Sequence, residues 1–127
     1  MREILIKGQL NKFKTFGGFS NEFELGERDL ILTNEFIYKP FMESLGLPCQ
    51  VVFQEKFGAG EPSEKMLTAI FEALDPATFD RIIAVGGGAI IDIGKVLSLK
   101  RTGCVHDLYF RKVPVTPEKT LVAIPTT

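Results

Sequence analysis

The sequence predicts an α/β protein built on a mostly parallel sheet, and two patterns carry that prediction. Short continuous apolar runs, "LILT" (Leu30 to Thr33), "QVVFQ" (Gln50 to Gln54), "RIIAV" (Arg81 to Val85) and the "LVAI" of "TLVAIPTT", read as strands buried on both faces. Between them lie segments of about ten to fifteen residues with helical signals, the alternation expected of βαβ units.

The elements follow in chain order. From Ile4 to Phe23 short apolar stretches surround "FGGF" (Phe16 to Phe19), which reads as a turn between extended segments, a small N-terminal β-hairpin. After the first strand, "NEFIYKPFMESLGLP" is helical, with Pro40 suited to a first turn and Gly46 followed by Pro48 as the stop. Beyond the second strand and the loop "FGAGEPSEKM", Ser63 is a good N-cap. The helix it opens carries the stripe Met66, Leu67, Ile70, Phe71 and Leu74, and Pro76 ends it. The third strand runs into three glycines and a helix with Ile90, Ile91, Ile93, Val96, Leu97 and Leu99. A polar loop containing Pro114 and Pro117 leads to the fourth buried strand.

Composition narrows the function classes. The chain has 127 residues, 45% of them hydrophobic, enough for one modest domain with a real core. Fifteen Lys and Arg against sixteen Asp and Glu give a net charge of -1, which argues against a nucleic-acid or anionic-membrane surface. Lys7 interrupts the first apolar patch too early for a signal peptide, and no apolar run approaches the roughly 20 residues that cross a bilayer. Cys49 and Cys104 are isolated, as in reduced thiols of a cytoplasmic protein.

The glycines Gly86, Gly87 and Gly88 stand where a strand ends and a helix begins. Ligands of open α/β sheets bind beyond such carboxyl ends. Residues without Cβ atoms let a diphosphate approach main-chain amides, and the helix behind them adds the positive end of its dipole. A tight turn with close packing is the plainer explanation, but it needs fewer than three glycines. Two familiar motifs do not fit. Ile91 stands where G-x-G-x-x-G requires its third glycine. In a P-loop, Val96 would replace the magnesium-binding Ser or Thr and Ala89 the leading glycine. Asp92 and Lys95, one turn apart, read first as an ion pair on the helix surface; a ribose hydroxyl donating to Asp92 is the functional alternative.

"GGGAIIDIGK" followed some thirty residues later by "AIPTT" resembles the iron-dependent, group III alcohol dehydrogenases. "LTNEFIYKPFMESL", "VFQEKFGAGEPSEKM" and "RIIAVGGGAIIDIGKVLSLK" are similar to the 4-hydroxybutyrate dehydrogenase branch of that family. The resemblance implies a Rossmann-like, dehydroquinate synthase-like N-terminal domain that binds NAD or NADP. It implies hydride transfer between that cofactor and a small alcohol or aldehyde, the 4-hydroxybutyrate and succinate semialdehyde pair, with iron polarising the substrate oxygen. By the same resemblance Gly86, Gly87, Gly88 and Ala89 would hold the diphosphate, Asp92 would contact the nicotinamide-ribose side, Thr126 and Thr127 would line the groove, and Asn34 would lie against the adenine ribose.

Three positions depart from the family pattern: Ala89 stands for serine, Gly94 for alanine and Asn34 for an aspartate that repels a 2′-phosphate. The last leaves NAD against NADP open, with Glu35 next door as a substitute charge. In the family a separate helical domain supplies the metal ligands. The single histidine, His106, makes with Cys104 and Asp107 a poor chelate. The sequence stops at Thr127, directly after a strand and inside the family motif. Residues 1–127 are therefore expected to be a truncated NAD(P)-binding domain without the C-terminal metal-binding domain. Such a chain would bind nucleotide weakly and lack turnover alone, with the longer protein forming a homo-oligomer. Two other readings stay open, a stand-alone nucleotide-binding module and an NAD-dependent lyase like dehydroquinate synthase.

Overall fold

A computed structural model describes residues 15–99 and 118–126. Four parallel strands, β1 (Asp29–Thr33), β2 (Gln50–Phe53), β3 (Arg81–Gly86) and β4 (Thr120–Pro125), form one sheet in the order β2-β1-β3-β4. Helices α1 (Phe16–Phe23), α2 (Glu35–Phe41), α3 (Glu64–Ala73) and α4 (Gly88–Leu97) flank it.

The continuous apolar runs of β1 and β3 are explained by burial on both faces. Leu30, Leu32, Val52, Ile82 and Ala84 pack under α3 and α4 with Leu67, Ile70, Ile93 and Leu97. The alternate residues Ile31, Ile83 and Val85 pack with Phe19, Ile37 and Met42 on the other side. Every residue of β1 is buried, because β1 is central and covered twice. Strand β2 is less buried than its sequence predicts, with only Val52 buried, and β4 is less buried still: Thr120, Ala123 and Pro125 are exposed. Among the described residues it pairs only with β3, so it lies at an edge.

Two local expectations are corrected. "FGGF" is no hairpin turn but the first half of α1, and residues 1–14, the remainder of the expected hairpin, lie outside the described residues. Thr15 caps this helix by accepting from the Gly18 amide at 3.1 Å. Phe16, Phe19 and Phe23 stack along one face, with centroids 5.2 and 4.7 Å apart, and this burial outweighs the low helix propensity of two glycines. Pro40 occupies the last turn of α2 rather than the first; α2 begins directly after β1 at Glu35. Its continuation is a 3₁₀ turn over Glu43–Leu45, closed by Gly46 in the left-handed conformation (φ 59°) as expected.

Other punctuation holds. Ser63 caps α3 by accepting from the Met66 amide at 3.1 Å. α3 ends at Ala73, and Pro76 opens a short 3₁₀ turn instead of stopping the helix itself. At the amino ends of the strands, Arg81 grips Asp29 with bonds of 2.6 and 3.1 Å and donates to the Phe23 carbonyl at 2.9 Å. Asp29 also accepts from the Gly26 amide at 2.8 Å. This pair ties β1, β3 and the end of α1 together at the edge opposite the glycines.

Candidate functional site

All four strands are parallel, so Thr33, Phe53, Gly86 and Pro125 end at one rim of the sheet. Chain order reverses between β1 and β3: from β1 the sheet extends to β2 on one side and to β3 and β4 on the other. A crevice opens at such a reversal because the flanking crossovers leave in opposite directions. Asn34 follows β1 on one wall of it, and Gly86 to Gly88 follow β3 on the other.

The three glycines do different things. A Cβ on Gly86 would lie 2.7 Å from Ile90 Cγ1, so glycine there lets the strand pass beneath the first turn of α4. That is the packing role. At Gly87 and Gly88 a Cβ would meet nothing within 4 Å. Packing inside the protein therefore leaves both unexplained, and they keep a hollow open in front of the helix.

The helix end facing that hollow has donors to offer. Gly87 is the N-cap of α4 and has no side chain to cap with; its carbonyl accepts from the Ile91 amide at 3.2 Å. Among the described residues no hydrogen bond uses the amides of Gly88, Ala89 and Ile90. Three orphan amides and the positive end of a ten-residue helix are suited to an anion and would need no side-chain hydroxyl, so Ala89 would cost such binding little. These residues fit the diphosphate of a dinucleotide, which would lie in a space that any side chain at 87 would fill.

The rim is held rigid. Thr33 Oγ1 donates to the Val85 carbonyl at 2.7 Å, buried between β1 and β3. The Thr126 amide donates to the Gly86 carbonyl at 3.1 Å, which anchors the chain after β4 beside the glycines. Thr126 is exposed there; Thr127 lies outside the described residues. Gly94 is explained by close approach of α4 to the sheet, since a Cβ would sit 3.0 Å from Ala84 Cβ and 3.1 Å from Leu121 Cδ1. Asp92 points to solvent and pairs with Lys95 at 3.7 Å, the surface arrangement that its spacing suggests. It lies one helical turn beyond Gly88 in α4.

On the opposite wall Asn34 is the N-cap of α2 but does not cap it. Its Nδ2 donates to Gln54 Oε1 at 3.1 Å and to Glu55 Oε1 at 3.2 Å, while Glu55 Oε2 accepts from the Glu35 amide at 2.9 Å. Burial pushes the Glu55 carboxyl up, but the bonds from the Glu35 amide, its own amide and Asn34 bring it below its ordinary value. The Glu35 carboxylate is bonded by Lys39 at 2.9 Å and lies 3.7 Å from Lys56; these cations hold it below the usual carboxylate range. Gln54 and Glu55 were not among the residues singled out from sequence. Their signal is position alone, directly past the end of β2 on the same rim.

Cys49 is half-buried, and burial with the nearby Asp29 charge pushes its thiol up, which disfavours the reactive thiolate. Cys104, His106 and Asp107 lie outside the described residues. Among the described residues no three His, Cys, Asp or Glu side chains gather to hold a metal, and no helix is long and apolar enough to cross a membrane.

Known proteins match this arrangement. The family model for iron-containing alcohol dehydrogenase matches residues 11–127. A 4-hydroxybutyrate dehydrogenase from Clostridium kluyveri is 46% identical over all of this chain and 34% of its own length. The crystal structure of an iron-containing alcohol dehydrogenase from Thermotoga maritima superposes with a TM-score of 0.65 at 22% identity, covering 88% of this chain and 33% of that one. A sulfoacetaldehyde reductase from Bifidobacterium kashiwanohense, solved with NAD+, gives 0.62 at 17% identity, covering 86% and 30%. The chain thus spans about a third of the length of these relatives, and their folds agree with the parallel sheet described above. By family and by fold, the chain belongs to the iron-containing alcohol dehydrogenases.

Proposed function

We propose that the chain is the cofactor-binding part of an NAD(P)-dependent alcohol dehydrogenase acting on a small alcohol and aldehyde, the 4-hydroxybutyrate and succinate semialdehyde pair. The observation that carries this reading is the hollow at Gly87 and Gly88, faced by three unused amides at the switch point of the sheet. The substrate pair is supported by the 46% identity to the Clostridium kluyveri protein.

In this reading the amides of Gly88, Ala89 and Ile90 hold the diphosphate, and Asn34 meets the adenine ribose. Thr126 lines the groove, together with Thr127 from outside the described residues. The bound nicotinamide nucleotide supplies the hydride chemistry. This chain orients it: the Thr33–Val85 and Thr126–Gly86 bonds fix the two walls, so little reorganisation accompanies binding. The described residues hold no cluster that fits a metal ion; the iron that the family implies would be held by other residues and would polarise the substrate oxygen. Asp92, exposed and paired with Lys95 at 3.7 Å, contacts the nicotinamide-ribose side of the cofactor in this reading. A cytoplasmic, self-associating protein is in keeping with the family, and residues 1–127 alone are expected to bind nucleotide without turnover.

Thermal-shift titration with NAD+ and NADP+, beside a dehydrogenase assay with 4-hydroxybutyrate, tests the proposal. Nucleotide is expected to raise the melting temperature of 1–127, because a ligand that binds only the folded state stabilises it. No shift with either nucleotide would refute cofactor binding. Turnover by 1–127 alone would refute the division of labour.

A further inference from the structure

The polar cluster on the Asn34 wall has a fixed hydrogen-bond polarity. Gln54 is buried, and its Nε2 donates to the Gly58 carbonyl at 3.3 Å and to Met66 Sδ at 3.4 Å. Its Oε1 must therefore face Asn34, and Asn34 must present its NH2 group to it. The same NH2 donates to Glu55 Oε1. Both protons of Asn34 Nδ2 are then used inside the protein, and the Oδ1 acceptor is left over. Glu55 is locked in turn by the Glu35 amide on its other oxygen, and its remaining lone pairs also accept.

Charge tells the same story. Lys39 and Lys56 are both drawn to Glu35, at 2.9 and 3.7 Å. Glu55 is bonded by amides and makes no ion pair among the described residues. The uncompensated negative charge on this wall thus belongs to Glu55, twenty-one positions along the chain from Asn34, and not to Glu35 beside it.

We propose that Asn34, Gln54 and Glu55 form an acceptor-only clamp that takes the hydroxyls of an adenosine ribose and excludes a 2′-phosphate, making the protein select NAD over NADP. The proposal rests on the assignment of this crevice to a dinucleotide. A ribose hydroxyl donates to a carboxylate or an amide oxygen; a phosphate dianion has only acceptors and meets like charge. Glu55 thereby restores, from just past the end of β2, the charge that Asn34 lacks. Gln54 is a positioning residue, since it turns Asn34 and is itself buried.

Calorimetric titration of the protein with NAD+ and with NADP+ tests this. Wild type is expected to bind NAD+ at least about tenfold more tightly. Glu55→Gln, which keeps the shape and removes the charge, should bring the two affinities together mainly by strengthening NADP+ binding. Glu55→Lys should reverse the order, and thermal unfolding of both variants shows whether they fold. Tight binding of both nucleotides by wild type, or an unchanged preference in folded Glu55→Gln and Glu55→Lys, would overturn the clamp while leaving the dinucleotide site standing. Failure of both nucleotides to bind wild type would overturn the two readings together.

Discussion

A methyl group added to Gly86 would lie 2.7 Å from Ile90 Cγ1, whereas the same group on Gly87 would meet no atom within 4 Å. The two neighbours are glycine for different reasons, and substitution separates them. Gly86→Ala is expected to destabilise the fold by about 1–3 kcal/mol through overpacking. Gly87 has φ -81° and ψ -169°, open to any residue, so Gly87→Val should cost less than about 1 kcal/mol while abolishing nucleotide binding. Denaturant unfolding and a binding titration on both variants check the contrast; a Gly87→Val protein that still binds would show the ligand sits elsewhere. Glu55 makes a second prediction at this scale. Its folded pKa lies below the ordinary value, so its stabilisation is complete above the ordinary carboxylate range and is lost as pH falls through the folded value. Wild type should lose stability on acidification more steeply than Glu55→Gln, as melting temperature against pH would show. Identical profiles would mean that the Asn34 and Glu35 bonds contribute nothing.

Among the elements, α4 carries both the site and much of the packing. It approaches β3 and β4 closely because Gly94 leaves room for Ala84 and Leu121. Alanine at 94 would gain about 1 kcal/mol of helix propensity but add a Cβ at 3.0 Å, so the two effects oppose. Valine adds two more carbons with no such gain. Gly94→Val is expected to lower stability by about 2–3 kcal/mol and to weaken nucleotide binding as well, because it moves the amides of the first turn. A variant that unfolds earlier yet binds with unchanged affinity would uncouple the helix position from the site. The elements also show what sequence pattern conveys. Both-face burial makes a strand a continuous apolar run, so β1 and β3 are readable from "LILT" and "RIIAV"; "QVVF" marks β2 as a strand although only Val52 of it is buried. α1 was not, because "GG" suggests a turn and outweighed the quieter helical spacing of Phe16, Phe19 and Phe23.

For the molecule as a whole, the two rims of the sheet divide the work. The amino ends are closed by Arg81 and Asp29, with Asp29 only 5% exposed, and by Lys119, which donates to the Pro76 and Phe79 carbonyls. The carboxyl ends keep unused amides and an open hollow. Asp29→Ala, which strands Arg81, should cost about 3 kcal/mol and leave nucleotide affinity of the folded protein unchanged; a stability assay paired with a titration checks both halves. The glycine rim was legible in sequence because three bare residues at a strand–helix junction have few other uses. The division of labour among them was not, since it depends on where the Ile90 side chain falls. Glu55 was invisible for a similar reason: its partner Asn34 is distant in sequence and meets it only because β1 and β2 are neighbours in the sheet.

The proposed grip on a dinucleotide's paired phosphates rests on main-chain amides at the start of α4. It is tested most directly by following the amide proton resonances of the protein during titration with NAD+. Large downfield shifts are expected at Gly88, Ala89 and Ile90, saturating together and absent in Gly87→Val. Shifts centred on another part of the sheet, with these three amides unmoved at saturation, would contradict it.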